Sequence, residues 1–224
     1  MRKKILKNMD WGILICVLIL TIIGLVALFS ATQSTDYDEF KKQIMWICIS
    51  IPVVIAIIAI DYSYIVKVAP IFYGIFIILL IAVLFTEPIN GATSWFDLGS
   101  FTLQPAEFAK IFVVIVFAMA ITKVQERDVD SISNPWKLFL ALLTVLVPVL
   151  LIIKQPDYGT AMAFIVATVI MLFVAGIKKR YIFISILLIA VTLPLMYFFI
   201  LPEHAKTRID VFLNPELDPL GDGY

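Results

Sequence analysis

The chain is 224 residues long, 62% hydrophobic and only 15% charged, with a mean hydropathy of +1.04. A soluble domain is about half apolar, so this composition excludes one and indicates an integral membrane protein. Its 17 basic and 17 acidic residues cancel, which excludes nucleic acid or an acidic substrate as a partner held through bulk charge.

Arg2, Lys3, Lys4 and Lys7 precede the first apolar run, 11–31. That run is too long for a signal-peptide core and no small-residue cleavage site follows, so it reads as an anchor. Further runs follow at 44–60, 69–85, 104–122, 138–153, 160–177 and 181–201. Each approaches the ~20 residues that cross hydrocarbon, and because lipid supplies no hydrogen bonds each is expected to be a helix. The expected fold is all-α: a polytopic bundle of seven transmembrane helices, one membrane domain over 1–224. Eleven of the seventeen Lys and Arg fall on the side of the N-terminus, which assigns that side to the cytoplasm and leaves 202–224 outside.

Pro52, Pro148 and Pro194 lie inside the second, fifth and seventh runs, where each removes a backbone donor and bends its helix. Cys16 and Cys48 fall near opposite membrane faces, on the order of 20 Å apart by helix rise, too far for a disulfide. No Cys/His cluster has metal-ligand spacing and His204 stands alone, so no metal site and no cofactor are expected. A divalent cation is left open.

Three polar stretches gather on the outer side. The first, Thr86–Leu103, is too polar to span, and its Trp95, Phe96 and Phe101 surround an Asn90-Gly91 turn signal, so it is expected to fold back onto the bundle at headgroup depth. Gln104-Pro105 then starts the fourth span, since proline at the first helical position gives up a donor that has no intrahelical partner. Glu107 sits in the first turn, where the helix dipole favours its charge, and Lys110 shares its face. One reading is a local ion pair with the lysine snorkelling outward. The other is a shared site, because Gln155-Pro156-Asp157 opens the sixth span from the same face. If spans four and six are neighbours, two carboxylates and a lysine border one pocket able to hold a pyrophosphate and a sugar hydroxyl. The third stretch, the acid-rich tail, carries Arg208 and the turn signals Asn214-Pro215 and Asp218-Pro219.

Together, Gly91-Ala92-x-x-Trp95, Gln104-Pro105-x-Glu107-x-x-Lys110, Gln155-Pro156-Asp157-x-Gly159-Thr160 and Arg208-Ile209 through Gly223-Tyr224 resemble the SEDS family, named for shape, elongation, division and sporulation. The resemblance runs the length of the chain and is nearer the rod-shape members than the division members. It implies a multi-pass protein of the bacterial inner membrane, a glycosyltransferase that polymerises lipid II, the undecaprenyl-pyrophosphate-linked disaccharide peptide, into peptidoglycan during elongation. It also implies a class B penicillin-binding transpeptidase as partner. Glu107, Lys110 and Asp157 would line the outward cavity, with Gln104, Gln155, Trp95 and Arg208 in support.

Two departures matter. Many members carry a basic residue before the motif tryptophan, where this chain has Thr93 and Ser94. Members also have roughly ten spans, so the resemblance implies a truncated N-terminal portion, inactive alone, with the catalytic aspartate beyond Tyr224 and no catalytic residue within it. A flippase or transporter of the lipid-linked precursor, and a non-catalytic scaffold for the transpeptidase, are the alternatives.

Overall fold

The structure, a computed structural model, describes residues 10–33, 37–89, 91–99, 101–126, 132, 134–199, 206–207, 209–211 and 214. Long helices dominate them: α1 Trp11–Ala31, α2 Asp38–Ala59, α3 Tyr62–Ala82, α4 Pro105–Gln125, α5 Pro135–Lys154, α6 Tyr158–Val174 and α7 Lys179–Phe199. Five stretches are long and apolar enough to cross a membrane: Trp11–Ala31, Asp38–Ala59, Tyr62–Phe85, Pro135–Lys154 and Lys179–Phe199. Tyr158–Val174 is apolar but shorter.

Local chemistry sets the helix starts, several of them earlier than the apolar runs. Asp10 caps α1 by accepting from the backbone of Gly12 and Ile13 at 3.0 and 3.2 Å. α2 begins at Asp38, six residues ahead of its apolar run, with Asp38 and Glu39 in the first turn paired to Lys41 and Lys42. Asp61 accepts from the Ser63 backbone at 2.8 Å ahead of α3. Asn134 caps α5 through Trp136 and Lys137, with Pro135 at its first position. Besides Pro52, Pro148 and Pro194, Pro70 also lies inside a helix, because α3 starts before its run does.

The chain divides into two compact units, Met1–Val68 and Ala69–Tyr224, the boundary falling inside α3. In the first, Phe29 stacks on Tyr37 and meets Phe40 edge-on, at centroid distances of 5.0 and 5.3 Å, closing α1 onto α2. Neither helix buries a residue. Such all-round apolar exposure is what lipid contact produces.

The second unit holds the core. α4 packs along α5, α5 along α6, and α6 along both α4 and α7. Buried Ala106, Ala109, Ala141 and Ala161 let these helices approach closely, the device expected where lipid removes the hydrophobic drive and van der Waals packing must hold helices together. Phe117, Val145, Phe164 and Leu172 fill the space between them. α3 joins through rings: Phe72 on Phe112 at 4.9 Å, and Phe76 on Phe108 and Phe112 at 5.9 and 5.4 Å. Tyr73 adds a hydrogen bond to the Thr144 carbonyl of α5 at 3.1 Å. At the end of the bundle where α4 and α6 finish, Gln125 donates to the Ala175 carbonyl at 2.8 Å. On α7, Tyr197 donates to the carboxylate of Asp210.

Between α3 and α4 the chain folds back as expected, but it contains a short ribbon that the sequence reading did not foresee. After a 3-10 turn at Val83–Phe85, β1 Phe96–Asp97 pairs antiparallel with β2 Thr102–Leu103, in the register Phe96 to Leu103 and Asp97 to Thr102. Gly99 takes φ +78 in the connecting turn, a conformation that suits glycine, and Asp97 accepts from its backbone at 2.8 Å.

Candidate functional site

Each side chain of the site is placed by a helix start. Pro105 is the first residue of α4 and Gln104 its N-cap, yet the Gln104 side chain does not cap its own helix. Instead its Nε2 donates to Asp157 Oδ2 at 2.6 Å. Asp157 is itself the N-cap of α6, where Oδ1 accepts from the Thr160 backbone at 3.1 Å. One carboxylate therefore serves two helix starts, and α4 and α6 are neighbours at this end, as the shared-site reading requires.

The two starts are not of one type. In α4 proline is the first helical residue and Glu107 lies in the first turn, whereas in α6 Pro156 precedes the cap and the carboxylate is the cap. The reason is backbone accounting: the aspartate can accept a free N–H of the first turn, so it takes the position outside the helix.

Glu107 and Lys110 form the local ion pair. Lys110 Nζ lies 3.0 and 3.2 Å from the two Glu107 oxygens, with side chains 34% exposed for the lysine and 56% for the glutamate. Such a pair is worth little to stability. Its geometry is informative all the same, because the glutamate uses both oxygens to hold the ammonium. Lys110 also lines a narrow cleft with Val113 and Phe117 of α4, Val145 of α5, and Phe164 and Thr168 of α6. Thr168 spends its hydroxyl on the Phe164 carbonyl at 2.7 Å, so the lysine supplies the polar group of an otherwise apolar cleft. Among the described residues no hydrogen bond or ion pair joins Glu107 or Lys110 to Asp157.

The supporting residues divide. Gln155 is wholly buried, its Nε2 donating to the Leu80 carbonyl at 3.0 Å. Trp95 is half-buried, and its carbonyl lies 3.2 Å from Thr86 Oγ1. Arg208 lies outside the described residues. Sequence reasoning missed Ser94, noticed only as a departure from a motif; it is fully buried and donates to the Gln155 carbonyl at 3.4 Å. A small hydroxyl residue beside a loop tryptophan carries no periodic signal that would have marked it. Among the described residues no group of three or more His, Cys, Asp or Glu is arranged to hold a metal ion.

The peptidoglycan glycosyltransferase MrdB of Escherichia coli K12 is 32% identical over 220 residues, covering 97% of this chain and 57% of that protein. The rod shape determining protein RodA of Thermus thermophilus superposes with a TM-score of 0.70 at 27% identity, over 83% of this chain and 60% of the other. A chain of a peptidoglycan synthase complex that coordinates polymerization and crosslinking superposes at 0.76, with 27% identity, over 96% and 62%. The chain thus spans under two thirds of the length of each of these relatives. A family model described as "Cell cycle protein", covering FtsW, RodA and SpoVE, matches residues 10–224, and this chain belongs to that family.

Proposed function

We propose that the protein is a peptidoglycan glycosyltransferase of the bacterial inner membrane, polymerising lipid II on the outer face during cell elongation, with a class B penicillin-binding transpeptidase as partner. The observation that carries this reading is the Gln104–Asp157 bond, which joins the starts of α4 and α6 at the end where the first turns of α4 carry the Glu107–Lys110 pair. Family membership supplies the reaction class. The reading includes seven crossings and a cytoplasmic N-terminus. Its supports are the packing of α4 and α6 along α5, which is long enough to cross, and the lysine and arginine bias of the sequence.

In the reaction an acceptor sugar hydroxyl attacks the anomeric carbon of a second lipid-linked sugar. A glycosidic C–O bond forms, the bond to undecaprenyl pyrophosphate breaks, and the hydroxyl proton passes to a base. Lys110 meets the leaving pyrophosphate, because a cation set against an apolar cleft suits an anionic headgroup. Glu107 orients that ammonium. Asp157 orients Gln104 through Oδ2 while Oδ1 caps α6.

Full-length protein reconstituted in vesicles with labelled lipid II tests the reading. Polymer formed without a second polymerase supports it. Lipid movement without polymer favours a flippase, and neither result favours a scaffold.

A further inference from the structure

Gln155 ends α5 with its side chain fully enclosed. Its amide nitrogen bonds the Leu80 carbonyl in the last turn of α3, and its backbone carbonyl accepts from buried Ser94. Its Oε1 is buried and has no hydrogen-bond partner among the described residues. Exchanging the two ends of the amide would set Oε1 against the Leu80 carbonyl, two acceptors face to face, so the orientation is fixed by Leu80. An unpartnered buried acceptor costs about 1–3 kcal/mol. A methionine of similar volume removes that orphan but leaves the Leu80 carbonyl without the amide, so the two residues come out close in stability.

The residue works through two groups: its amide holds the end of α3, and its backbone carbonyl holds the ribbon through Ser94. Because Phe96 pairs with Leu103, Ser94 and Gln104 lie at the same open end of the β1–β2 ribbon, one on each stem. Both stems are tied to the same junction between α5 and α6, Ser94 to Gln155 and Gln104 to Asp157. Gln155 also fixes that junction to the end of α3, where the loop begins. We infer that Gln155 is a positioning residue: it docks the outer ribbon in one register on the α5–α6 junction and so sets Gln104 opposite Asp157. Its role in catalysis rests on the transferase reading, whereas the docking itself does not.

The test uses the full-length protein in vesicles and the variants Gln155→Met, Gln155→Asn and Ser94→Ala. Hydrogen exchange of the 91–97 amides is expected to quicken about tenfold in Gln155→Met, which frees the end of α3 where the loop begins, with the melting temperature nearly unchanged because a hydrogen bond and an orphaned acceptor are lost together. Lipid II turnover should fall about tenfold in kcat at unchanged KM. Gln155→Asn, one methylene too short to reach Leu80, should behave like the methionine variant. Should Gln155→Met fail to insert, Ser94→Ala carries the test, with quickened exchange confined to the loop. Unchanged exchange in Gln155→Met or Ser94→Ala, parent-like behaviour of Gln155→Asn, or activity that falls only in step with melting temperature would overturn the inference. If the parent makes no polymer but exchange shifts as expected, the docking stands and the transferase reading fails.

Discussion

Gln104 gives up capping its own helix and donates to Asp157, the residue that caps α6. The bond is charge-assisted and half-buried, the kind that contributes about 1.5–3 kcal/mol. A double-mutant cycle of Gln104→Ala and Asp157→Ala in detergent should return a coupling of about 1–2 kcal/mol, with Asp157→Ala the worse single change because it also removes a cap worth about 1 kcal/mol. Additive losses would show that the two residues do not act as a pair.

Lys110 and Glu107 should separate in function. Lys110→Met is expected to lower lipid II polymerisation about a hundredfold, and Lys110→Arg less, with membrane insertion unchanged in both. Glu107→Gln keeps the shape but loosens the ammonium, so its loss should be smaller than that of Lys110→Met. Initial rates of strand synthesis at matched protein levels check the order.

The phenylalanine seam between α3 and α4 predicts a ranking. Phe76 stacks on two rings and is half-buried, Phe72 stacks on one and is exposed, and Phe117 is wholly buried. Thermal unfolding should rank the alanine variants Phe117, Phe76, Phe72, from a loss of about 3–5 kcal/mol downward. Lipid can replace a lost ring contact only at the exposed position.

Outside the spans, the Ser63 hydroxyl, aided by the Ser63 backbone, holds the Asp61 carboxyl below its ordinary value. A depressed folded-state value means that the contribution is present above the unfolded value and is lost as pH falls through the folded one. Ser63→Ala should raise the Asp61 titration midpoint toward that of a free aspartate, read by carboxyl NMR.

Much of this was legible in the residues. The seven apolar runs located the helices, because lipid leaves the backbone no alternative, and the Pro-Glu and Pro-Asp signals located the ends that meet. Helix starts were read too late wherever polar residues, such as Asp38 in the first turn of α2 or Asp61 ahead of α3, lead a helix into its run. Hydropathy does not see capping. The ribbon escaped because two-residue strands leave no alternation to detect, and Ser94 escaped because its burial depends on a partner 61 residues away. Asp157 is expected from the sequence to line a cavity; that one of its oxygens accepts from Gln104 and the other from the Thr160 backbone is a matter of geometry that spacing does not encode.

Gln125 and Ala175 tie α4 to α6 at the end opposite Gln104 and Asp157, roughly 30 Å away at the rise of a helix. Two parallel rods pinned at both tips can twist about one another, but neither can slide lengthwise without snapping a rung. Any lengthwise shift of α4 against α6 must therefore break the Gln104–Asp157 and Gln125–Ala175 bonds together, so the cleft that both helices line widens by twist and not by sliding.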